Sequence, residues 1–244
     1  MTDPTVVVIF GATGDLSRRK LLPALFHLYN RGLMPEHFAV VGFSRKDLSD
    51  DEFREIAKEA IFSKDSHDEK ILNDFLKQVS YSQGIFDDEN GYKKLSEKLS
   101  DIDDKWEICG NKLFHLAVPP VFYENIFEHL SNAGLTIPCV GDNAGWTRVL
   151  VEKPFGNDLK TAQELDAKLG KFFEESQIFR IDHYLAKEAL QDILSFRFSN
   201  SLFEPLWNKD HIEKIEVKFY ETLGMEGTGA SSEGIGVCLD VGQN

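Results

Sequence analysis

Four side chains able to grip a phosphate dianion fall in two compact segments of the chain. Lys153 lies in Glu152-Lys153-Pro154-Phe155-Gly156, and His183, Tyr184 and Lys187 lie in Arg180-Ile181-Asp182-His183-Tyr184-Leu185-Ala186-Lys187-Glu188. Two ammonium groups, an imidazole and a phenol offer hydrogen-bond donors and positive charge to phosphate oxygens. Asp182, beside His183, is an acceptor able to orient a base. Each segment follows a short apolar run that reads as a strand, and parallel α/β sheets bind ligands outside the carboxyl ends of their strands. The four residues would then converge on one mouth. A plainer alternative stays open: the second segment is a helix N-terminus with Asp182 as cap and Lys187 exposed. His27, His67, His115, His129 and His211 read as structural or surface residues.

A second constellation opens the chain. The apolar run 6–10 ends in Gly11-Ala12-Thr13-Gly14-Asp15-Leu16, and the run 38–42 ends in Phe43-Ser44-Arg45. A strand entering a glycine turn and then a helix sets unpaired backbone N–H groups beside a place for a pyrophosphate. In dinucleotide sites an acidic residue usually closes the second strand and holds the ribose 2′-hydroxyl. Arg45 stands there instead, and a guanidinium suits a 2′-phosphate, so the ligand expected is NADP rather than NAD. The turn lacks the usual G-x-G start, and a tight strand-to-helix turn without a ligand is the competing reading. Ser17, Arg18, Arg19 and Lys20 add polar and basic groups near the anion site, at least one of the arginines reading as a solvated surface charge.

These residues need a sheet to place them. Leu21, Leu25 and Leu28 share one helix face, and Gly32 stops that helix. Pro23 is awkward in a helix interior, so the regular helix is expected from near Lys20, with an irregular turn before it. Further helices are expected over 48–60, 65–79 and 92–99, with an acidic, loop-like stretch over 100–110. A strand over 112–118 stops at Pro119-Pro120, and an amphipathic helix then runs to about Ala133. A strand over 147–151, a helix over 159–173 capped by Asn157 or Asp158, and a strand over 178–181 follow. Alternating strands and helices imply an α/β fold, a doubly wound Rossmann-like parallel sheet. After about Phe198 the character changes. Residues 214–219 alternate charged and apolar side chains like an antiparallel strand, and Gly224, Gly227 and Gly229 crowd together. This reads as the start of an incomplete α+β antiparallel domain with an uncovered edge. The division expected is 1–182 for the nucleotide domain and 183–244 for the beginning of the second.

With 244 residues, 28% charged and 42% hydrophobic, the composition is that of an ordinary soluble globular protein. The net charge of −14 argues against nucleic acid and anionic membrane as partners and makes any phosphate site a local basic focus. Cys109, Cys139 and Cys238 are distant, odd in number and without a C-x-x-C. That points to a reducing compartment and away from a disulfide framework or a metal site. The first apolar run is too short for a signal-peptide core or a membrane span, so a cytoplasmic location is expected.

Taken together, the motifs resemble the glucose-6-phosphate dehydrogenase family. The resemblance covers the whole chain and also takes in Lys20-Leu21-Leu22-Pro23-Ala24-Leu25, Val149-Leu150-Val151 before the Glu152 segment, and Leu206-Trp207-Asn208-Lys209-Asp210. It implies NADP-dependent oxidation of glucose 6-phosphate at C1 to the 6-phosphoglucono-lactone, within the pentose phosphate pathway. By position, Gly11, Gly14, Asp15, Leu16, Lys20 and Arg45 would line the NADP site, and Lys153 would touch both cofactor and substrate. His183, Tyr184 and Lys187 would grip the sugar phosphate, Glu221 and Asp240 would hold sugar hydroxyls, and Asp182 would orient the catalytic histidine. The resemblance also implies a homo-oligomer whose interface lies beyond this sequence. Departures cluster near the end: Ala230-Ser231-Ser232-Glu233 replaces a Gly-Tyr-Tyr-Asp type of segment, Leu239 stands for an arginine, and Gly242 for a larger apolar residue. The family's general base directly follows a Gln-Asn pair, here Gln243-Asn244, where the sequence stops. The expectation is therefore an incomplete, weakly active or inactive form. The alternative is a non-catalytic NADP-binding or interaction protein derived from the same family.

Overall fold

The computed structural model describes residues 3–62, 68–139, 145–152, 158–182, 188–216 and 218. Six strands form one parallel sheet: β1 (Thr5–Phe10), β2 (Phe38–Ser44), β3 (Val79–Gln83), β4 (Asn111–Leu116), β5 (Thr147–Glu152) and β6 (Ile178–Ile181). Their order across the sheet is β3-β2-β1-β4-β5-β6. The chain moves outward from β1 to one edge, returns, and builds the other half from β4. Sequence neighbours β1 and β2 lie to one side and β4 to the other, so the order reverses between β1 and β4.

Helices cover both faces, as two buried clusters show. Val7, Ile9, Val40 and Val79 face α1 (Leu22–Asn30), α2 (Asp50–Phe62) and α3 (Glu69–Leu76) through Leu22, Phe26, Phe53 and Phe75. Val6, Val8, Phe10, Val41, Phe114 and Val149 face α4 (Glu89–Trp106), α5 (Tyr123–Asn132) and α6 (Leu159–Phe172) through Tyr92, Leu95, Phe127 and Leu169. Successive residues of β1 point to opposite clusters, and both clusters are dry; that is why this strand is a continuous apolar run.

Local chemistry sets several boundaries. The run from Asp15 to Asn30 is helical, with a π-helical turn at Ser17–Leu21 in which the Leu22 N–H donates to the Ser17 carbonyl five residues back. Pro23 then falls in the first turn of α1, where its missing N–H costs least. The irregular turn expected before about Lys20 is this π turn, which runs on to Leu21, so the regular helix starts at Leu22. Gly32, at φ +66°, closes α1 with paired bonds from Gly32 N–H to Tyr29 and from Leu33 N–H to Leu28, the two bonds of a left-handed helix stop. Asp158 caps α6 through the Thr161 N–H at 2.8 Å.

Several expectations need correction. The helix expected over 65–79 is described as α3 only, because Asp68 caps its start, and Val79 already belongs to β3. That edge strand is Val-Ser-Tyr-Ser-Gln, too polar to read as buried. The stretch 100–110 is not a loop: α4 runs unbroken to Trp106, because Tyr92, Leu95, Leu99, Ile102 and Trp106 continue one apolar stripe under the acidic surface. The cysteines are not all separate either. Cys109 and Cys139 are disulfide-bonded, their Cα atoms 6.4 Å apart, since the connections entering β4 and β5 meet at the amino-terminal ends of these adjacent strands. Cys238 lies outside the described residues. Of 214–219, residues 214–216 and 218 are described and form no strand. Helix α7 (Glu188–Phe198) leaves Ile193, Leu194, Phe196 and Phe198 exposed. No described helix is long and apolar enough to cross a membrane.

One part-buried polar junction ties the edge strand to the helices. Asp50 Oδ1 accepts the Tyr81 N–H at 2.7 Å and Lys98 Nζ at 2.8 Å, and Lys98 also donates to the Tyr81 carbonyl at 2.6 Å. Burial alone would raise the Asp50 pKa, but the bonds from Lys98 and Tyr81 outweigh it and leave it lowered from 3.8. A lowered folded-state pKa adds stability above the unfolded value, and that stability is lost as pH falls through the folded one. Asp50 is partly exposed, so the expected contribution is about 1 kcal/mol. Asp50→Asn should lower the melting temperature by about 2–4 °C at pH 7, with the gap to the parent closing as pH falls below about 3.8 in thermal scans.

Candidate functional site

The reversal of strand order places a crevice outside the carboxyl ends of β1 and β4, and the glycine turn forms its floor. Gly11 adopts φ +76°, and a Cβ there would lie 2.5 Å from the Ala117 carbonyl oxygen and 2.8 Å from Val118 Cγ1. Only glycine lets the chain leaving β1 pass so close to the chain leaving β4. The Gly11 and Ala12 N–H groups both donate to the Phe43 carbonyl, at 2.9 and 3.3 Å, which ties the turn to the end of β2. Gly14 N–H donates to the Gly11 carbonyl at 2.8 Å and closes the turn. The helix then begins at Asp15, so its first amides have no intrahelical acceptor and its positive dipole end faces the crevice.

The second strand brings Arg45 to the same rim. Ser44, the last residue of β2, is buried, and its Oγ lies 3.0 Å from Thr13 Oγ1. Tyr81 holds the backbone on both sides of Arg45, its hydroxyl shared between the carbonyls of Ser44 at 2.8 Å and Lys46 at 2.7 Å. Burial pushes the Tyr81 phenol up, so it remains a donor at neutral pH. Arg45 and Lys20 are exposed and form no ion pair with a described residue. Arg19 pairs with Asp15 at 3.4 Å, and Arg18 approaches Glu59 at 3.9 Å; both are exposed surface pairs, so the solvated reading holds for them. Asp15 is thus engaged through its side chain, while Leu16 is half-buried just before the π turn. The Ser17 hydroxyl in that turn is buried without a hydrogen-bond partner among the described residues.

The strands feeding the phosphate-gripping segments end on the same side. Leu116 of β4 pairs with Val151 of β5, and Glu152 pairs with Ile181 of β6. The backbone therefore enters Lys153 and Asp182 from adjacent strands at the crevice edge. Asp182 is half-buried directly after β6. Lys153, His183, Tyr184, Lys187, Glu221 and Asp240 lie outside the described residues. Arg180, in the second segment, is held by Glu175 at 2.7 Å and by Asp166, and the bond from Glu175 leads the causes that raise its pKa. It therefore fixes β6 to α6.

Two contacts at this edge were not anticipated. His115 Nε2 lies 3.0 Å from Glu152 Oε1, and the Tyr123 hydroxyl lies 3.5 Å from the Glu152 carbonyl and 3.4 Å from its N–H. Burial pushes the Tyr123 phenol up to about 12. Both side chains brace the last residue before Lys153. His115 looked structural in the sequence because its partner is 37 residues away. An alternating strand with one histidine facing an acidic strand end is the only signal that pointed there.

The doubly wound order, the glycine turn at the β1/β4 reversal and the basic rim after β2 define an α/β domain of the dinucleotide-binding class. Family models agree: "Glucose-6-phosphate dehydrogenase, NAD binding domain" matches residues 8–192, and "Glucose-6-phosphate dehydrogenase, C-terminal domain" matches 194–244. The chain belongs to the glucose-6-phosphate dehydrogenase family. It is 40% identical over 243 residues to glucose-6-phosphate 1-dehydrogenase of Chlamydia pneumoniae, covering 99% of this chain and 48% of that protein. It is 42% identical over 238 residues to the Aggregatibacter actinomycetemcomitans enzyme, covering 98% and 47%. A solved glucose-6-phosphate dehydrogenase in complex with its substrate glucose-6-phosphate superposes with a TM-score of 0.86 at 37% identity, over all of this chain and 50% of that one. The Mycobacterium avium enzyme gives 0.80 at 33%, again over 50% of its chain. The chain thus spans about half the length of the relatives it matches.

Proposed function

We propose that the chain binds NADP in the β1/β4 crevice and glucose 6-phosphate at the adjoining edge, as the nucleotide half of an NADP-dependent glucose-6-phosphate dehydrogenase. The observation that carries this is Arg45, without an ion pair among the described residues, on a backbone held by Tyr81 and the Ser44–Thr13 contact beside the glycine turn. A guanidinium there meets a 2′-phosphate, where an NAD site presents a carboxylate to the ribose hydroxyl. Gly11 and Gly14 shape the turn that lines the site, the amides of Asp15 and Leu16 at the helix start offer donors to the pyrophosphate, and Lys20 adds charge. The residues present fit the cofactor, because the crevice supplies backbone donors, and Arg45 rather than a carboxylate directly follows β2. Bound NADP supplies the hydride acceptor.

The substrate assignments rest on position in the family. His183, Tyr184 and Lys187 take the sugar phosphate, Lys153 bridges substrate and cofactor, Glu221 and Asp240 take sugar hydroxyls, and Asp182 orients the base that removes the C1-hydroxyl proton. The nucleotide unit is assigned to 1–182 and the start of the second domain to 183–244, with a cytoplasmic location, a place in the pentose phosphate pathway and a homo-oligomeric full assembly. Calorimetric titration with glucose 6-phosphate, glucose and NADP tests the cradle. His183→Ala and Lys187→Ala should each weaken sugar-phosphate binding by about tenfold or more, the loss of one charge-assisted contact. NADP affinity should stay within about twofold, and free glucose should not compete. Sugar-phosphate binding unchanged in both variants would remove the assignment.

A further inference from the structure

At the amino-terminal ends of the strands, opposite the crevice, the connections entering β4 and β5 carry a group of side chains unrelated to nucleotide binding. Cys109 and Cys139 are joined there, both half-buried and so within reach of solvent. Lys112 lies against them with only 8% of its surface exposed. Its Nζ is 3.4 Å from Cys109 Sγ and 3.9 Å from Cys139 Sγ. The same ammonium donates to the Gly110 carbonyl at 2.9 Å and to the Asp103 carboxylate. Among the described residues, Asp103 is the acidic group facing the sulfurs, its Oδ2 3.5 Å from Cys109 Sγ, and its charge is engaged by Lys112 and by the Gly110 N–H at 3.0 Å.

We propose that Cys109 and Cys139 form a reversible thiol–disulfide site, with Lys112 as the residue that stabilises the departing thiolate and a dithiol as the reductant. A thiolate of the reductant attacks Cys139 Sγ. The sulfur–sulfur bond breaks, and its electron pair leaves on Cys109 Sγ, the sulfur nearer the ammonium. The reductant's second thiolate then displaces Cys139 and closes the reductant's own disulfide. Two electrons pass to the protein, and the two freed thiolates take up the two protons that the reductant's thiols gave up. A neighbouring cation lowers a thiol's pKa, and a thiol of lower pKa leaves faster. Asp103, Cys109 and Cys139 also have the spacing of a metal-ligand set. A metal is disfavoured because the Lys112 cation already stands within contact distance of all three ligand atoms.

The cross-link joins residues 30 apart and staples the end of the α4–β4 connection to the segment after α5. Closing such a loop restricts the unfolded chain. The oxidised protein should therefore melt about 5–10 °C above the reduced one, and this difference should vanish in Cys139→Ser. Thiol titration in denaturant should find one free thiol after equilibration with oxidised glutathione and three after dithiothreitol. Lys112→Met should slow reduction by dithiothreitol at pH 7 by about five- to tenfold, and Lys112→Arg should restore most of the rate. Three free thiols after oxidation, or a peptide map joining Cys238 to either partner, would overturn the proposal. So would a Lys112→Met variant that is reduced as fast as the parent. Should that variant not fold, the redox dependence of the melting temperature in the parent and Cys139→Ser decides the cross-link alone. Stoichiometric zinc retained by the reduced protein would reassign the cluster as a metal centre.

Discussion

Arg45→Asp should reverse the cofactor preference of this chain. The guanidinium sits at the end of β2, exposed and without an ion pair among the described residues, and the backbone on either side is fixed by one phenol. A bound 2′-phosphate would find its partner already in place, with little ordering of the loop required. Each charge-assisted contact is worth roughly 1.5–3 kcal/mol, and one or two are expected. Removing them should weaken NADP by about tenfold to a hundredfold per contact. The aspartate adds repulsion of the phosphate and a new acceptor for the ribose hydroxyl of NAD. The ratio of the two dissociation constants, measured by fluorescence or calorimetric titration, should cross unity in favour of NAD. An unchanged ratio would place the 2′-phosphate elsewhere. Arg45→Lys should retain part of the preference, since it keeps the charge but loses the planar fork.

The second large effect concerns the floor of the crevice. Gly11→Ala meets two obstacles, the left-handed backbone at φ +76° and the Ala117 carbonyl 2.5 Å from the new Cβ. A left-handed conformation costs a non-glycine residue roughly 1–2 kcal/mol. The second obstacle is backbone, which cannot rotate aside, so β1 and the chain after β4 must part. A total of about 3 kcal/mol or more is expected, with a fall in melting temperature of about 6–12 °C. Gly32→Ala supplies the control: its φ is +66°, yet nothing lies within 4 Å of the added carbon. That variant should lose only about 1 kcal/mol. Equal losses at the two positions in thermal or urea unfolding would show that close approach at Gly11 contributes nothing. Dinucleotide affinity should fall in Gly11→Ala well below the melting transition and remain unchanged in Gly32→Ala.

The parts of the fold legible in the sequence are those in which one residue type has one physical use. The pairing of an apolar run with Gly11 and Gly14 marked the crevice, Gly32 marked a helix stop, and Ile178–Ile181 stood out as a short strand. Pro23 announced an irregular turn before it, and the π turn at Ser17–Leu21 is that irregularity. Features set by distant partners were not legible. β3 is a strand because Val79 and Tyr81 pack beneath α2 and α3, although its serines read as polar. The acidic surface of α4 hid a stripe that was present in the spacing of Leu99, Ile102 and Trp106. Cys109 and Cys139 carry no motif, and only the meeting of two connections makes them partners.

The candidate site divides in the same way. Arg45 was identified by its place after a strand, a local pattern. Tyr81, which holds the loop bearing it, sits 37 residues from Ser44 and belongs to the strand that the sequence concealed. His115 and Tyr123 meet Glu152 across comparable gaps. Residues that touch a ligand tend to sit in compact motifs, whereas those that brace them are drawn from wherever the sheet brings them.

A crystal structure of the chain soaked with NADP addresses the account most directly. The pyrophosphate should lie over the turn between Gly11 and Gly14, with the 2′-phosphate within about 3 Å of the Arg45 guanidinium. Density for the dinucleotide away from the ends of β1 and β4, or a 2′-phosphate facing solvent with Arg45 uninvolved, would contradict it.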